Sequence, residues 1–202
     1  MRSHTARLRE SQANEPRRSR YTSHALRLFT EHLENQTDAQ LLDVGPVCGE
    51  NLEFFARRVK RVFVCDMFLR LDLARRKERT QNQAWQDLDY PPNSFDGITL
   101  WALFDYLDDQ GISALVARCS YMIRPSGILL AVVQDEHHIV DPGIQSYVIA
   151  EDFDVFRRPQ PHLSLPSQRR HNRALLGMVE PFIPLKSFIY RGGIKELLLQ
   201  HK

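Results

Sequence analysis

Apolar residues along this chain fall into two alternating patterns. Four short stretches are rich in apolar residues, at 40–45, 62–66, 95–103 and 128–133. Each has the length of a buried strand. Between them apolar residues recur at helical spacing, as at Leu52, Phe55, Ala56 and Val59. The alternation predicts an α/β fold, and the continuously apolar strands indicate a mostly parallel sheet with helices on both faces.

The remaining apolar positions complete this picture. Further helices are predicted at 24–34, 69–79, 109–123 and 167–179, and a short strand is predicted at 84–87. Two more strands, at 185–190 and 194–200, flank Gly192 and Gly193. A glycine pair suits a tight hairpin turn. We therefore expect the last two strands to be antiparallel.

Two stretches do not follow the alternation. Residues 1–20 carry six arginines and almost no large apolar residue, so we expect a flexible basic tail. Residues 136–167 follow the fifth strand and therefore begin at the carboxyl edge of the sheet. Their length, about 30 residues, far exceeds the usual connection of about 4–6. We predict a single domain over 21–202, in which 136–167 is a substrate-side insertion or lid.

A glycine turn joins the first strand of the predicted sheet to its helix, in the sequence DVGPVCGEN. Strand, glycine turn, helix, second strand and terminal acid are the core of a Rossmann-like nucleotide site. Gly45 permits a tight turn, and the helix N-terminus offers unpaired N–H groups. Asp66 ends the second strand, 21 residues after Gly45. A carboxylate there can accept both ribose hydroxyls of an adenosine.

A dinucleotide is one possible ligand of such a turn. Its fingerprint requires glycine at three positions, which here hold Gly45, Val47 and Glu50. Val47 adds bulk where a pyrophosphate must approach the backbone, and Glu50 would place negative charge beside it. S-adenosylmethionine has no phosphate and carries a cationic sulfonium, so it is compatible with an acidic turn. A nicotinamide-dependent oxidoreductase is therefore disfavoured.

Three segments resemble class I S-adenosylmethionine-dependent methyltransferases. LLDVGPVCGEN is similar to the glycine motif of that family, DLDYPPNSFDGITLWALFDYLDD to its fourth-strand segment, and RPSGILL to the stretch that leads into its fifth strand. Val47 and Ser126 replace glycines of the family pattern. The resemblance implies a Rossmann-like sheet of seven strands, with the last strand inserted antiparallel between the fifth and the sixth.

The resemblance also implies a cofactor site. Asp66 would bind the ribose, and Asp87 would lie beside the adenine amino group. Cofactor contacts are expected from Asp43, Gly45, Pro46, Val47, Asp66, Met67, Asp87, Leu88 and Trp101. Methyl transfer needs mainly alignment and exclusion of water, so a catalytic side chain is not obligatory. His137 and Tyr147, both in the insertion, are the candidates.

Two functions fit these residues. The chain either transfers a methyl group to a small-molecule or protein acceptor that the sequence does not identify, or it is a catalytically degenerate relative that acts as a binding or regulatory partner. Val47 motivates the second interpretation, because it occupies a glycine position of the cofactor turn.

Composition and charge limit the partners, the metal content and the cellular compartment to be expected of the chain. A net charge of +2 gives little reason to expect a nucleic-acid partner. The three cysteines show neither paired nor metal-binding spacing, which fits a reducing compartment and predicts no metal. No apolar run is long enough to span a bilayer, and the first residues lack a secretory pattern. We therefore expect a cytoplasmic protein without a membrane partner.

Overall fold

The structure, a computed structural model, describes residues 20–78, 84–85, 88–134, 143–168, 170 and 172–202. The strands are β1 (Arg20–Thr22), β2 (Gln40–Val44), β3 (Arg61–Cys65), β4 (Phe95–Trp101), β5 (Ile123–Gln134), β6 (Gln145–Ile149), β7 (Asp154–Pro159), β8 (Ile183–Tyr190) and β9 (Ile194–Gln200). The α-helices are α1 (His24–Glu34), α2 (Gly49–Ala56), α3 (Met67–Arg76), α4 (Asp109–Met122) and α5 (Asn172–Met178). Two short 3₁₀ helices cover Leu103–Tyr106 and Glu151–Phe153.

The main sheet has the strand order β3-β2-β4-β5-β9-β8. Strands β3, β2, β4 and β5 run parallel, and β9 is antiparallel to both of its neighbours, β5 and β8. The predicted α/β class, the mostly parallel sheet and the antiparallel C-terminal hairpin are confirmed. The carboxyl ends of β2, β3, β4 and β5 consequently lie along one edge of the sheet.

The expectation of seven strands in this sheet is wrong for the described residues, which form six. A short strand was expected at 84–87, but the two described residues of that stretch, Ala84 and Trp85, are helical. Both side chains are buried in the same hydrophobic cluster. Successive side chains of a strand point to opposite faces, so a helical turn is the conformation that buries both together.

Several element boundaries also differ from the prediction, among them the end of β4 and the start of α5. Strand β4 ends at Trp101 because Ala102 adopts a left-handed conformation with a φ of 54°, which stops the extended chain before residue 103. Helix α5 begins at Asn172 rather than at 167.

Apolar clusters cover both faces of the main sheet. One contains residues of α3, α4 and α5, and the other contains residues of α1 and α2. Strand side chains alternate between the two, so Leu42 and Leu129 belong to the first, and Leu41 and Leu130 to the second. Among the described residues, none of the helices combines the length and the apolar character needed to cross a membrane.

A second sheet of three antiparallel strands, in the order β1-β7-β6, was not predicted. Strands β6 and β7 form a hairpin within the stretch expected to be an insertion, and β1 brings Arg20 out of the expected tail into this sheet. Tyr147, Ile149 and Val155 of the hairpin join the apolar cluster that contains α1 and α2. This burial holds the hairpin against the main sheet. Residues 1–19 and 135–142 lie outside the described residues.

Candidate functional site

Gly45 begins the turn that follows β2, and its role is to allow close packing. The described glycines with positive φ are Gly143, Gly192 and Gly193, so Gly45 is not required for a left-handed turn. A Cβ atom added to Gly45 would lie 2.7 Å from Cδ1 of Trp101. Any larger residue at this position would therefore displace the indole ring that packs on the turn.

Asp66 connects the end of β3 to the glycine turn. It is the N-cap of α3, where its Oδ1 accepts a hydrogen bond from the backbone N–H of Leu69 at 2.9 Å. Its Oδ2 accepts from the N–H of Val47 at 3.4 Å. Each carboxylate oxygen has two acceptor positions, so Asp66 retains capacity for ribose hydroxyls. Turn and acid are thus adjacent, as the sequence predicts.

Asp43, the second acid near the turn, is 3% exposed. Its Oδ1 accepts from Thr99 Oγ1 and from Trp101 Nε1, each at 2.5 Å. Burial raises the pKa of this carboxyl, and the two hydrogen bonds counteract the rise. The side chains that donate hydrogen bonds to the Asp43 carboxylate, Thr99 and Trp101, both belong to β4.

Trp101 and Tyr147 form an aromatic pair at the carboxyl edge. Their rings are stacked with centroids 6.0 Å apart and planes inclined by 17°, and both side chains are buried. The Tyr147 hydroxyl accepts from Gln134 Nε2 at 3.1 Å, and the Gln134 N–H donates to Asp105 Oδ2 at 2.9 Å. Burial raises the pKa of Tyr147 well above its ordinary value, so its hydroxyl stays protonated near neutral pH.

Two contacts attach the hairpin of β6 and β7 to α2, the helix that follows the glycine turn. Asn51 donates from Nδ2 to the carbonyl of Tyr147 and accepts at Oδ1 from the N–H of Ile149, both at 2.8 Å. Arg158 forms an ion pair with Glu50 at 2.6 Å, which, with backbone and Cys48 hydrogen bonds, lowers the pKa of Glu50 to about 2. Neither attachment was predicted. The place of Asn51 at the end of the glycine motif is the sequence signal that could have indicated it.

The other expected cofactor residues are placed differently. Pro46 is buried in the turn, whereas Val47 is 62% exposed. Met67 and Leu88 are buried in the core cluster that contains α3 and α4. Asp87 and His137 lie outside the described residues. The structure thus brings Asp43, Gly45, Val47, Asp66 and Trp101 together around the turn.

The described residues provide no group of three or more His, Cys, Asp and Glu side chains that could hold a metal ion. An adenosine-type ligand fits part of the site, because the Asp66 carboxylate stands beside the turn with acceptor capacity. The indole of Trp101, however, fills the space on the side of Gly45 where a side chain would project. A ligand that enters this space requires the indole to move.

Comparison with known families agrees with this geometry. Residues 13–176 match the family described as "Methyltransferase domain". This match covers most of the chain, and the chain belongs to that family. Its family and fold are those of the class I S-adenosylmethionine-dependent methyltransferases. No curated protein sequence matches it.

Solved structures show the same fold at low sequence identity. A methyltransferase from Mesorhizobium loti is 13% identical, with a TM-score of 0.58 over 88% of this chain and 96% of the other. The N-methyltransferase NodS from Bradyrhizobium japonicum is 15% identical, with a TM-score of 0.55 over 97% and 96%. A Burkholderia thailandensis 1,6-didemethyltoxoflavin-N1-methyltransferase is 18% identical, with a TM-score of 0.51 over 98% and 83%.

Proposed function

We propose that this methyltransferase binds S-adenosylmethionine between the turn after β2 and Asp66, and transfers its methyl group to a small-molecule or protein acceptor. The observation that carries the proposal is the contact between Asp66 Oδ2 and the N–H of Val47 at 3.4 Å. This contact supports the proposal because the Asp66 carboxylate, which we propose accepts the ribose hydroxyls, lies beside the glycine turn. We further propose that 21–202 is one domain and that 136–167 is the substrate-side insertion.

When bound, S-adenosylmethionine would supply a methyl group on a sulfonium sulfur, which is displaced as a neutral thioether and is therefore a good leaving group. The protein then has to bind the cofactor and the acceptor, align them with each other and exclude water. Asp66 would accept hydrogen bonds from the ribose hydroxyls. Tyr147 would contribute to the wall of the site rather than act as a base, because its pKa is raised. His137 stays a candidate base.

The acceptor would bind against the hairpin of β6 and β7. This hairpin contacts the carboxyl edge through Tyr147, which reaches Trp101 at the end of β4 and Gln134 at the end of β5. A segment in this position can cover the reacting groups and present a recognition surface. Two structural neighbours are named as N-methyltransferases, so nitrogen acceptors are the first to test.

The second candidate function is a degenerate methyltransferase-like protein that acts as a binding or regulatory partner. Two observations favour it, namely the valine at a glycine position of the turn and the indole of Trp101 packed on Gly45. The fold is compatible with other chemistry, since a similar structure, with a TM-score of 0.53, is named as the [4+2]-cyclase SpnF.

Isothermal titration with S-adenosylmethionine, S-adenosylhomocysteine and NAD tests these functions. We expect saturable binding of the first two and none of NAD. Methyl transfer is then measured with S-adenosylmethionine labelled on its methyl group against a panel of amines, alcohols and protein extracts. Absence of binding by both sulfur compounds would overturn the proposal in favour of the degenerate relative, and binding of NAD would overturn it in favour of an oxidoreductase.

A further inference from the structure

We propose that Trp101 is the gate of the cofactor site: its indole ring must leave Gly45 before S-adenosylmethionine binds, and Asp43 and Tyr147 hold it in the closed position. The inference rests on the proposed function, because it concerns access to the same site. It assigns Trp101 a role different from that of a fixed cofactor contact, which the sequence analysis expects.

The first step of the argument is the contact between the indole and the turn. Trp101 is 2% exposed, and three of its side-chain atoms would lie 2.7–3.3 Å from a Cβ at Gly45. The space that this glycine leaves open is therefore filled by the indole. A ligand that uses the absence of a side chain at Gly45 competes with Trp101 for that space.

The second step is the set of contacts that keep the indole there. Its Nε1–H donates to Asp43 Oδ1 at 2.5 Å, within a buried environment where such a bond is strong. Its ring is stacked on Tyr147. Tyr147 is itself positioned by Asn51 through the backbone of β6. The closed position is thus stabilised from the glycine-motif side and from the hairpin side.

The third step concerns which part moves. The backbone around Trp101 is fixed, since Trp101 is in register with Val132 of β5 and the N–H of Ala102 donates to the carbonyl of Val132 at 2.9 Å. Opening therefore requires rotation of the side chain and release of the Asp43 hydrogen bond, while β4 stays in the sheet. The Asp43 carboxylate keeps its hydrogen bond from Thr99 Oγ1 when the indole leaves.

A gate of this kind lowers the apparent affinity for the cofactor. When only the open fraction of the protein can bind, the measured dissociation constant is the intrinsic one divided by that fraction. Removing the indole should therefore tighten binding, whereas removing a fixed wall residue should weaken it. This difference in sign separates the two roles of Trp101.

Fluorescence gives a direct test, because the chain contains two tryptophans. In a Trp85→Phe protein the emission comes from Trp101 alone. We expect titration with S-adenosylhomocysteine to produce a saturable red shift of this emission and stronger quenching by acrylamide, since the indole leaves a buried position. Unchanged emission at saturating ligand would overturn the gate.

Calorimetry of variants gives the second test. We expect Trp101→Ala to bind S-adenosylhomocysteine about tenfold more tightly than the wild type. Trp101→Phe, which keeps a ring but loses the N–H, preserves most of the packing and should give a smaller gain. Weaker binding by a folded Trp101→Phe protein would overturn the gate while leaving the proposed function intact. Absence of binding by the wild type and by both variants would overturn the proposed function itself.

Discussion

The side-chain amide of Asn51, in α2, donates to the backbone carbonyl of Tyr147, in β6, at 2.8 Å across 96 positions of sequence. The carbonyl oxygen of the same amide accepts from the N–H of Ile149. One buried side chain thus completes the hydrogen bonding of two backbone groups of the hairpin. It links the helix of the glycine motif to the segment that we assign to acceptor recognition.

Replacement of Asn51 by alanine should loosen the hairpin. The change leaves a buried carbonyl and a buried N–H without partners, at about 1–3 kcal/mol each. We expect the free energy of unfolding to fall by about 2–6 kcal/mol, and amide exchange at 145–149 to accelerate. Denaturant unfolding and hydrogen-exchange mass spectrometry measure these effects. Glu53→Gln, an exposed change on the same helix, is the control, and equal exchange in both variants would contradict the assignment.

Replacement of Asp66 by alanine should weaken cofactor binding. A charge-assisted hydrogen bond contributes about 1.5–3 kcal/mol, which corresponds to roughly tenfold or more in affinity. The same change also removes the cap of α3, at about 1 kcal/mol of stability. Titration calorimetry with S-adenosylhomocysteine measures the affinity.

The control for Asp66→Ala separates the two losses. Asp108 caps α4 in the same way, by accepting from the N–H of Gly111 at 2.7 Å. Asp108→Ala should therefore lose comparable stability and keep the affinity for S-adenosylhomocysteine. Unchanged affinity in a folded Asp66→Ala protein would refute the ribose assignment.

The sequence predicts the main sheet well because periodicity reports burial. The 128–133 stretch of β5 is buried and continuously apolar, so the sequence predicts it, as it predicts the hairpin closed by Gly192 and Gly193. The small sheet was not recognisable. Strand β6 reads QSYVI, and its Gln145 and Ser146 are buried because of tertiary contacts that no local pattern encodes. Pro142 and Pro159 flank it, and proline is typical of turns and loops.

The sequence predicts only the part of the candidate site that neighbouring segments of the chain form. Gly45 and Asp66 belong to a local strand-turn-helix unit whose spacing is visible in the sequence. The contacts of Trp101 with Gly45 and Asp43, and of Asn51 with the hairpin, join distant segments. Their geometry depends on the register of β2 against β4 and on the docking of β6, so only the three-dimensional structure reveals them.

Cys48 should be unreactive in the folded protein, although it lies in the turn. It is 4% exposed, and burial raises the pKa of its thiol to about 11. Because the thiolate is the reactive form, about one thiol in a thousand is reactive at a pH of about 8. We expect iodoacetamide to leave Cys48 unmodified in the native protein and to modify it after denaturation. Peptide mapping by mass spectrometry measures this, and rapid native labelling of Cys48 would contradict the burial.

A buried carboxyl group joins the N-terminal segment to the C-terminal hairpin. Glu196 of β9 is fully buried and accepts hydrogen bonds from Tyr21 at 2.8 Å, Ser23 at 2.7 Å and Tyr190 at 2.9 Å. Burial raises the pKa of Glu196, and the three hydroxyl donors offset part of the rise. The cluster holds the start of α1 against β8 and β9, so its protonation state affects the stability of the fold.

The pH dependence of stability should carry the signature of Glu196. Because its pKa is raised in the folded state, the folded protein binds the proton more tightly than the unfolded chain. The resulting stabilisation is fully present below the ordinary glutamate pKa of 4.5 and is lost as the pH rises through the raised value. Glu196→Gln removes this titration, so the unfolding free energy of the wild type should decline relative to that of the variant across this window. Urea unfolding at a series of pH values measures the difference, with the exposed Glu180→Gln as control, and parallel curves for wild type and Glu196→Gln would show that Glu196 does not titrate abnormally.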